Sequence, residues 1–382
     1  MAIVLFDNEL RTHLYPLTLN RAVASLRFGI LSIKERWELL TGEQVFVATA
    51  PHLQPLYQSP PDGEHVWIDA ALMPDSALVN EIMSLKAGCE LCDGLREIAF
   101  RRTTPSDSKE TGLKNAVSAS ENTRRLSYPW EMIWWNDAQI RADFELLTRN
   151  RQSEPIPASV AAINPKQIFL EPGAGLQHCS LNAAAGPIYI GKNAEIMEGS
   201  AVRGPFVLGD HAVLKMNSRV YGATTIGPYC LGGGEIKNSV LMGYSNKAHD
   251  GYLGDSVVGE WCNFGAGSTN SNIKNTAGEI KLWNPGTAAY MPVGNKFGLI
   301  MGDYSRVAIN SSINTGSVIG ISSNVFGAGL LPSVIDSFSW GVDRTRYQFD
   351  KAVRDIANWK QLKGQELSEP EISILKHIFE TL

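Results

Sequence analysis

The stretch IYIGKNAEIMEGSAVRGPFVLGDHAVLKMNSRVYGATTIGP, residues 188–228, carries an aliphatic side chain every six residues. Ile190, Ile196, Val202, Leu208, Leu214, Val220 and Ile226 mark the beat, and Gly follows it at Gly191, Gly209 and Gly227. The spacing returns at Val258 and Phe264, and again at Met301, Val307, Ile313, Ile319 and Val325. Leu170 and Leu176 extend it backward in another phase. A helical stripe repeats every 3.6 residues and cannot hold this period. Ile and Val at the beat favour strands. A fixed hexapeptide period predicts a parallel β-helix, in which each short side turns one aliphatic inward and buries it on the next rung. A β-sandwich with chance spacing does not account for so many agreeing positions.

Outward from the repeat, the chain divides into three parts. Residues 1–155 alternate strand-like runs (Ile3–Phe6, Val45–Ala48, Val66–Ile68) with helical stretches (Ile30–Leu40, Asn80–Lys86, Asp137–Thr148) and read as an α/β domain. Within it, residues 103–125 are polar and read as a flexible excursion. Residues 156–340 are the β-helix, after a linker holding Pro155 and Pro157. Residues 341–382 read as a helical tail that caps the open end of the solenoid.

The 382 residues carry a net charge of −5, with no basic stripe and interleaved aromatics for nucleic acid. No run reaches the length of a membrane span, and MAIVLFDNEL lacks a signal peptide's basic start. Five cysteines in a chain this long fit a reducing compartment, so a cytoplasmic location is expected. Cys89 and Cys92 form a lone C-x-x-C, and two ordinary thiols account for it better than zinc.

Two interruptions break the beat. Ile226 and Val258 lie 32 apart, two more than a multiple of six, so a short excursion is expected there. The second lies between Phe264 and Met301. The first holds His249, whose imidazole can take a proton from an amine near neutral pH, oriented by a backbone carbonyl or by Asp250. Lys237, Lys247, Lys274 and Lys296 offer cations for phosphates, and Asn263 and Asn272 offer amides for sugar hydroxyls. A His or Lys in a polar loop is more often plain solvated surface.

Residues 236–239 (IKNS) and 245–272 (SNKAHDGYLGDSVVGEWCNFGAGSTNSN) resemble the acetyltransferase half of the bifunctional GlmU family. That family makes UDP-N-acetylglucosamine with an acetyltransferase and a uridylyltransferase in one chain. The resemblance implies a left-handed β-helix, an exception to the usual crossover hand. It implies His249 as general base for the amine of glucosamine-1-phosphate. Lys237 and Tyr252 would contact the phosphate, Asn263 and Asn272 the sugar, and Lys296 would add a substrate contact; Lys247 is a further substrate-binding candidate by its charge alone. It also implies acetyl-CoA as cosubstrate and a homotrimer with the acyl-CoA site between copies. The chain has Asn272-Ile273-Lys274-Asn275 where the family has Asn-Tyr-Asp-Gly. A fuller resemblance is to a Bacteroidetes-type variant branch. It rests on GPIYIG (186–191), IMEGS (196–200), YGATTIGP (221–228), GYSNKAHDG (243–251), GEWCN (259–263), MGD (301–303) and FSW (338–340). In the first half it rests on LYPLTLNR (14–21), RFGILSIKERW (27–37) and VWIDAALMP (66–74).

Branch members resemble sugar nucleotidyltransferase variants in their first half, which implies UMP transfer from UTP with Mg²⁺. The usual Gly-rich phosphate loop is absent near the start of this chain. Arg21, Arg27 and Lys34 are the candidate phosphate cations, and Asp69 after a strand is the candidate Mg²⁺ ligand. Three other readings remain: one activity without the other, a sugar-phosphate-binding scaffold, and a zinc hydratase on the same solenoid. The last needs three converging histidines, and His178, His211 and His249 are far apart in sequence, so no zinc is expected. The expected partners are a sugar phosphate and a nucleotide, with no nucleic acid and no membrane.

Overall fold

The computed structural model describes residues 1–94, 96–103, 116–119 and 123–382. The six-residue beat closes into coils of three sides. Ile190, Leu208 and Ile226 stack in parallel register, so each full coil takes 18 residues. Nine strands from Ile168–Leu170 to Val334–Ile335 form the first face, and eight from Gly175–Leu176 to Asn324–Val325 form the second. Six strands from Ala161–Ile163 to Tyr252–Gly254 form the third. The beat residues fill the bore and are almost wholly buried. Each contributes roughly 1.5–3 kcal/mol of apolar burial.

The interval from Ile226 to Val258 is not an excursion. Thr225 pairs with Val240, Ile226 with Leu241 and Leu241 with Val258, so it comprises two coils, both shorter than 18 residues. The corner after Gly232 is where residues are missing: Gly232-Gly233-Gly234 turns the chain into Glu235–Lys237 at once, with Gly234 at φ +70°. Only glycine adopts that backbone freely. Two polar residues take beat positions here. Lys247 follows Gly232 in register, and Asn270 precedes Ile313. The second interruption is a true excursion containing an antiparallel hairpin, Lys281–Asn284 with Ala289–Pro292.

In the first domain, β1 (Ala2–Phe6) lies parallel between β2 (Val45–Ala48) and β3 (His65–Asp69). β4 (Leu72–Met73) starts a small second sheet, while β5 (Glu90–Asp93), β6 (Arg96–Arg102) and β7 (Ala116–Ser118) complete the main order β2-β1-β3-β6-β5-β7. Helix α1 (Ile33–Thr41) opens on a Ser32/Glu35 capping box. Helix α2 (Ser76–Met83) starts earlier than expected because the Asp75 carboxylate accepts from Leu78 N at 2.8 Å. Helix α3 (Glu131–Thr148) also starts early, with Glu131 accepting from Ser127 N and Tyr128 N at 2.6 and 3.0 Å. The expected excursion at 103–125 is structured where it is described. β7 pairs with β5, and β8 (Arg124–Arg125) pairs with β4. Residues 104–115 and 120–122 of that stretch lie outside the described residues.

The first face is covered from end to end. Phe169, Tyr189, Val207 and Ala223 pack on Ile30, Ile140 and Phe144, and Val240, Met242, Val257, Ile300 and Val318 join the core of the N-terminal sheet. The tail does not cap the solenoid end. Helices α4 (Phe349–Gln361) and α5 (Glu369–Thr381) lie along the corner between the first and second faces, on Trp261, Tyr304, Ile321 and Phe338, and against Leu19 and Leu53. The cause is an aromatic ladder on that corner: His211, Tyr229, Tyr244 and Trp261 stack with centroids 4.8, 4.8 and 4.2 Å apart. The apolar stripes Ala352/Ile356 and Ile374/Ile378 cover the Trp261 and Tyr244 end of the ladder, while His211 and Tyr229 stay exposed. The third face stays open, its strands alternating exposed and buried residues at Ala201–Arg203 and Arg219–Tyr221.

Candidate functional site

The open face gathers several of the expected site residues. Arg219, Glu235 and Tyr252 form one outward row, and Tyr221, Lys237 and Gly254 the next. Gly254 has no side chain, and a Cβ there would stand 2.1 Å from the Tyr252 hydroxyl, so the ring lies over that strand. Asn272 donates to the Tyr252 hydroxyl at 2.9 Å and also to the Asp255 carboxylate. Asp255 accepts a second bond from Asn238 at 2.6 Å. Phe297 N donates to Asn272 O at 3.0 Å, which brings Lys296, exposed, to the same end of the face. Burial, followed by the nearby Asp255 charge, pushes the Tyr252 phenol well above its ordinary range, so it stays protonated.

His249 occupies the corner between the second and third faces, exposed, three residues before Tyr252. Among the described residues its imidazole has no hydrogen-bond partner, so neither a carbonyl nor Asp250 orients it. Its backbone carbonyl is held instead, by Lys247.

Lys247 corrects an expectation. It is only 1% exposed and points into the bore, so it cannot touch a substrate. Its ammonium donates to the carbonyls of His249, Gly251 and Gly233 at 2.5, 3.2 and 3.5 Å. Asn263 is not brought to Tyr252 and Asn272. It stands on the second face, where Asn246 donates to it at 3.4 Å. Asp255, which orients Asn272, was missed in the sequence because an Asp in a Gly-Asp pair reads as an ordinary turn.

The N-terminal candidates are all committed elsewhere. Arg21 pairs with Glu260 at 2.9 Å and with Asp303, and Asn20 also donates to Asp303, at 2.9 Å. Burial lifts Glu260 and the Arg21 charge more than offsets it, leaving that carboxyl below its ordinary value. Arg27 donates to Glu35 and to Ile30 O at 2.9 and 2.7 Å, and Lys34 pairs with Glu38 at 2.6 Å. Arg36 of the same motif pairs with Asp143 at 2.8 Å, which also accepts from Ile30 N. Arg21 and Asn20 seal the seam between sheet domain and solenoid, while Arg27, Lys34 and Arg36 pair within the first domain. Asp69 does not fit a Mg²⁺ ion as placed. One oxygen accepts from Arg125 and Asn8 at 2.6 and 3.0 Å, the other from Ala71 N at 2.9 Å. Among the described residues no three His, Cys, Asp or Glu side chains are grouped to hold a metal. Among them, too, no helix is long and apolar enough to cross a membrane.

With two halves of this form on one chain, comparison is informative. Residues 3–152 match the family model described as Sugar nucleotidyl transferase. Part of the chain is similar to proteins named GlmU. The "Bifunctional protein GlmU" of Methanococcus vannielii is 33% identical over 97 residues, 25% of this chain and 23% of that one. The "Bifunctional sugar-1-phosphate nucleotidylyltransferase/acetyltransferase" of Sulfurisphaera tokodaii is 35% identical over 92 residues, 24% of this chain and 23% of that one. The chain therefore matches under a quarter of the length of these relatives. A solved hexapeptide transferase family protein from Anaplasma phagocytophilum covers 58% of the chain and 87% of its own at 14% identity. Its TM-score of 0.25 carries no argument, and the solenoid stands on its own strand registers.

Proposed function

We propose that the open third face is the acceptor site of an acetyl-CoA-dependent N-acetyltransferase acting on an amino-sugar phosphate, with glucosamine-1-phosphate the first candidate. The observation that carries this is the gathering of Lys237, Tyr252 and Asn272, with Lys296 beside them, on an uncovered face of the solenoid, next to an exposed His249. Lys237 and Lys296 would hold the phosphate with Tyr252 donating to it, and Asn272, fixed by Asp255, would bond the sugar. His249 would take the proton as the amine attacks the thioester carbonyl, and coenzyme A would leave as the thiol. Asn263, on the second face, would serve a different part of the site or a neighbouring copy. A homotrimer would have to assemble through the second or third face and their corners, because the first face is taken.

A second activity, UMP transfer from UTP in residues 1–155, is favoured by the family match over residues 3–152. Since Arg21, Arg27, Lys34 and Asp69 are engaged, that reading needs other phosphate and metal contacts. Membership of the variant branch rests on its motifs, and a cytoplasmic location on the cysteine content.

The test is thiol release from acetyl-CoA with glucosamine-1-phosphate, beside His249→Ala. A loss of about a hundredfold or more in the variant supports the reading. No turnover by the unmodified protein with any amino-sugar phosphate removes it. Pyrophosphate release from UTP and a sugar-1-phosphate tests the second activity separately.

A further inference from the structure

A lysine inside a β-helix bore is out of place. The positions stacked with Lys247 are apolar or empty: Leu214 pairs with Gly232, and Gly232 with Lys247. A side chain at Gly232 would collide with Ile226, at 2.5 Å from its Cβ, and crowd Leu214 and Ile236. The bore is therefore too narrow at Gly232 for a further aliphatic, while the next rung carries a four-carbon stem with a charge. Burying a lone ammonium is costly unless it is fully hydrogen-bonded. Here three backbone carbonyls face it, and two of them, His249 O and Gly251 O, belong to the corner that carries the imidazole. Gly251 sits at φ +117°, and a Cβ there would stand 2.0 Å from Ser268 O, so this corner is tightly stacked and needs glycine. The His249 side chain has no anchor of its own among the described residues. Its position is set by its backbone, which Gly267 N and Glu235 N hold from outside by donating to Asp250 O and Gly251 O at 3.1 and 3.2 Å, and which Lys247 grips from inside.

We propose that Lys247 is a positioning residue: from within the bore its ammonium fixes the 249–251 corner and so sets where His249 stands relative to Tyr252 and Asn272. The proposal rests on the reading of His249 as general base, deepens it, and adds no step to the chemistry. It also accounts for a charge retained where the fold asks only for an aliphatic. Apolar replacement of a buried charge is often neutral or stabilising. A merely structural Lys247 therefore gains nothing over methionine.

The experiment compares the full-length protein with Lys247→Met in three measurements: thermal midpoint, steady-state acetyl transfer, and amide hydrogen exchange across residues 248–252. The expected result is an unchanged or higher midpoint. Exchange in the 248–252 amides should be faster, with protection elsewhere in the solenoid intact. The fall in kcat should be about a hundredfold with KM for the sugar phosphate changed less than about threefold. Equal protection at 248–252 in the two proteins overturns the anchor, whatever the kinetics. Lost protection with unchanged kcat overturns the positioning role. If the unmodified protein transfers no acetyl group, the acetyltransferase reading falls, and with it the role assigned to His249. The exchange measurement still decides whether Lys247 holds the corner. Should Lys247→Met fail to fold, Lys247→Leu provides the same comparison with a different apolar shape.

Discussion

The Arg21 guanidinium donates to Glu260 at 2.9 Å and to Asp303, joining the loop after β1 to two successive coils of the solenoid. Three motifs far apart in sequence, LTLNR, GEWCN and MGD, thus meet at one ion cluster. It is sealed by Asn20, which donates to Asp303, and by Glu260 N, which donates to the same carboxylate at 2.9 Å. A cation that reads in sequence as a phosphate ligand holds two domains together.

Removing Asp303 leaves Arg21 with Glu260 alone and takes the acceptor from Asn20 and Glu260 N. Asp303→Ala should destabilise the protein by about 1–3 kcal/mol, the cost of buried donors left without a partner. Arg21→Met combined with Asp303→Leu should recover a good part of that loss. Urea unfolding of the single and double variants measures both; a single variant within about 0.5 kcal/mol of the parent would show that the cluster is not structural.

On the open face, Tyr252→Phe deletes the hydroxyl that accepts from Asn272 and leaves the ring over Gly254. Because the hydroxyl is part of the proposed phosphate contact, KM for the sugar phosphate should rise about ten- to a hundredfold. Steady-state kinetics at saturating acetyl-CoA reads this directly. Asp255→Asn, which loosens the grip on Asn272, should act in the same direction.

Lys247 gives a pH signature. Burial pushes its ammonium down to about 8 from 10.5, with only Asp250 opposing. The folded protein thus binds this proton more weakly than the unfolded chain. Stability from this group therefore rises with pH between about 8 and 10.5, where the unfolded chain still holds the proton. Lys247→Met should abolish that rise, and its stabilising effect should be largest below pH 8. Thermal midpoints of both proteins from pH 6.5 to 10 check this, with roughly parallel curves contradicting it.

Lys34→Ala should change stability by less than about 0.5 kcal/mol, because Lys34 and Glu38 form a partly exposed pair one helical turn apart. If UMP transfer is present, it too should stay within about twofold, since Lys34 is committed to Glu38. A large loss of nucleotidyl transfer would return Lys34 to the phosphate site. Asp69→Asn should behave differently. It breaks a buried pair with Arg125 and should lower the midpoint of unfolding even where no nucleotide is present.

The solenoid was legible because its signal is one-dimensional. Each beat residue needs only its neighbours six and eighteen positions away, so Ile190, Leu208 and Ile226 declare their stacking in the sequence itself. The same arithmetic could have located Lys247, which lies six residues after Leu241 and six before Leu253, had the beat been carried through the short coils. The corner at Gly232–Gly234 hid it by removing residues where an insertion was expected. Lys237, Tyr252 and Asn272 were readable as a group only through the resemblance to the GlmU family, and the structure supplies the register that brings them together.

What the sequence could not decide were the contacts between parts that follow no common period. Whether Arg21 meets a phosphate or Asp303, whether α4 and α5 cap an end or cover a flank, and which face stays open all depend on how three separately legible pieces dock. Docking is decided by desolvation and charge pairing over surfaces drawn from distant segments, and no local pattern encodes those. The sequence by itself determined a hexapeptide β-helix behind an α/β domain, with a His, Lys and Asn set on its rungs. Only the tertiary structure turned Arg21, Arg27 and Asp69 into seam and core residues and placed Lys247 inside. It also left the third face free, because packing on the first face and on the corner beside it buries the aliphatic rows and the Trp261 end of the aromatic ladder that water would otherwise meet.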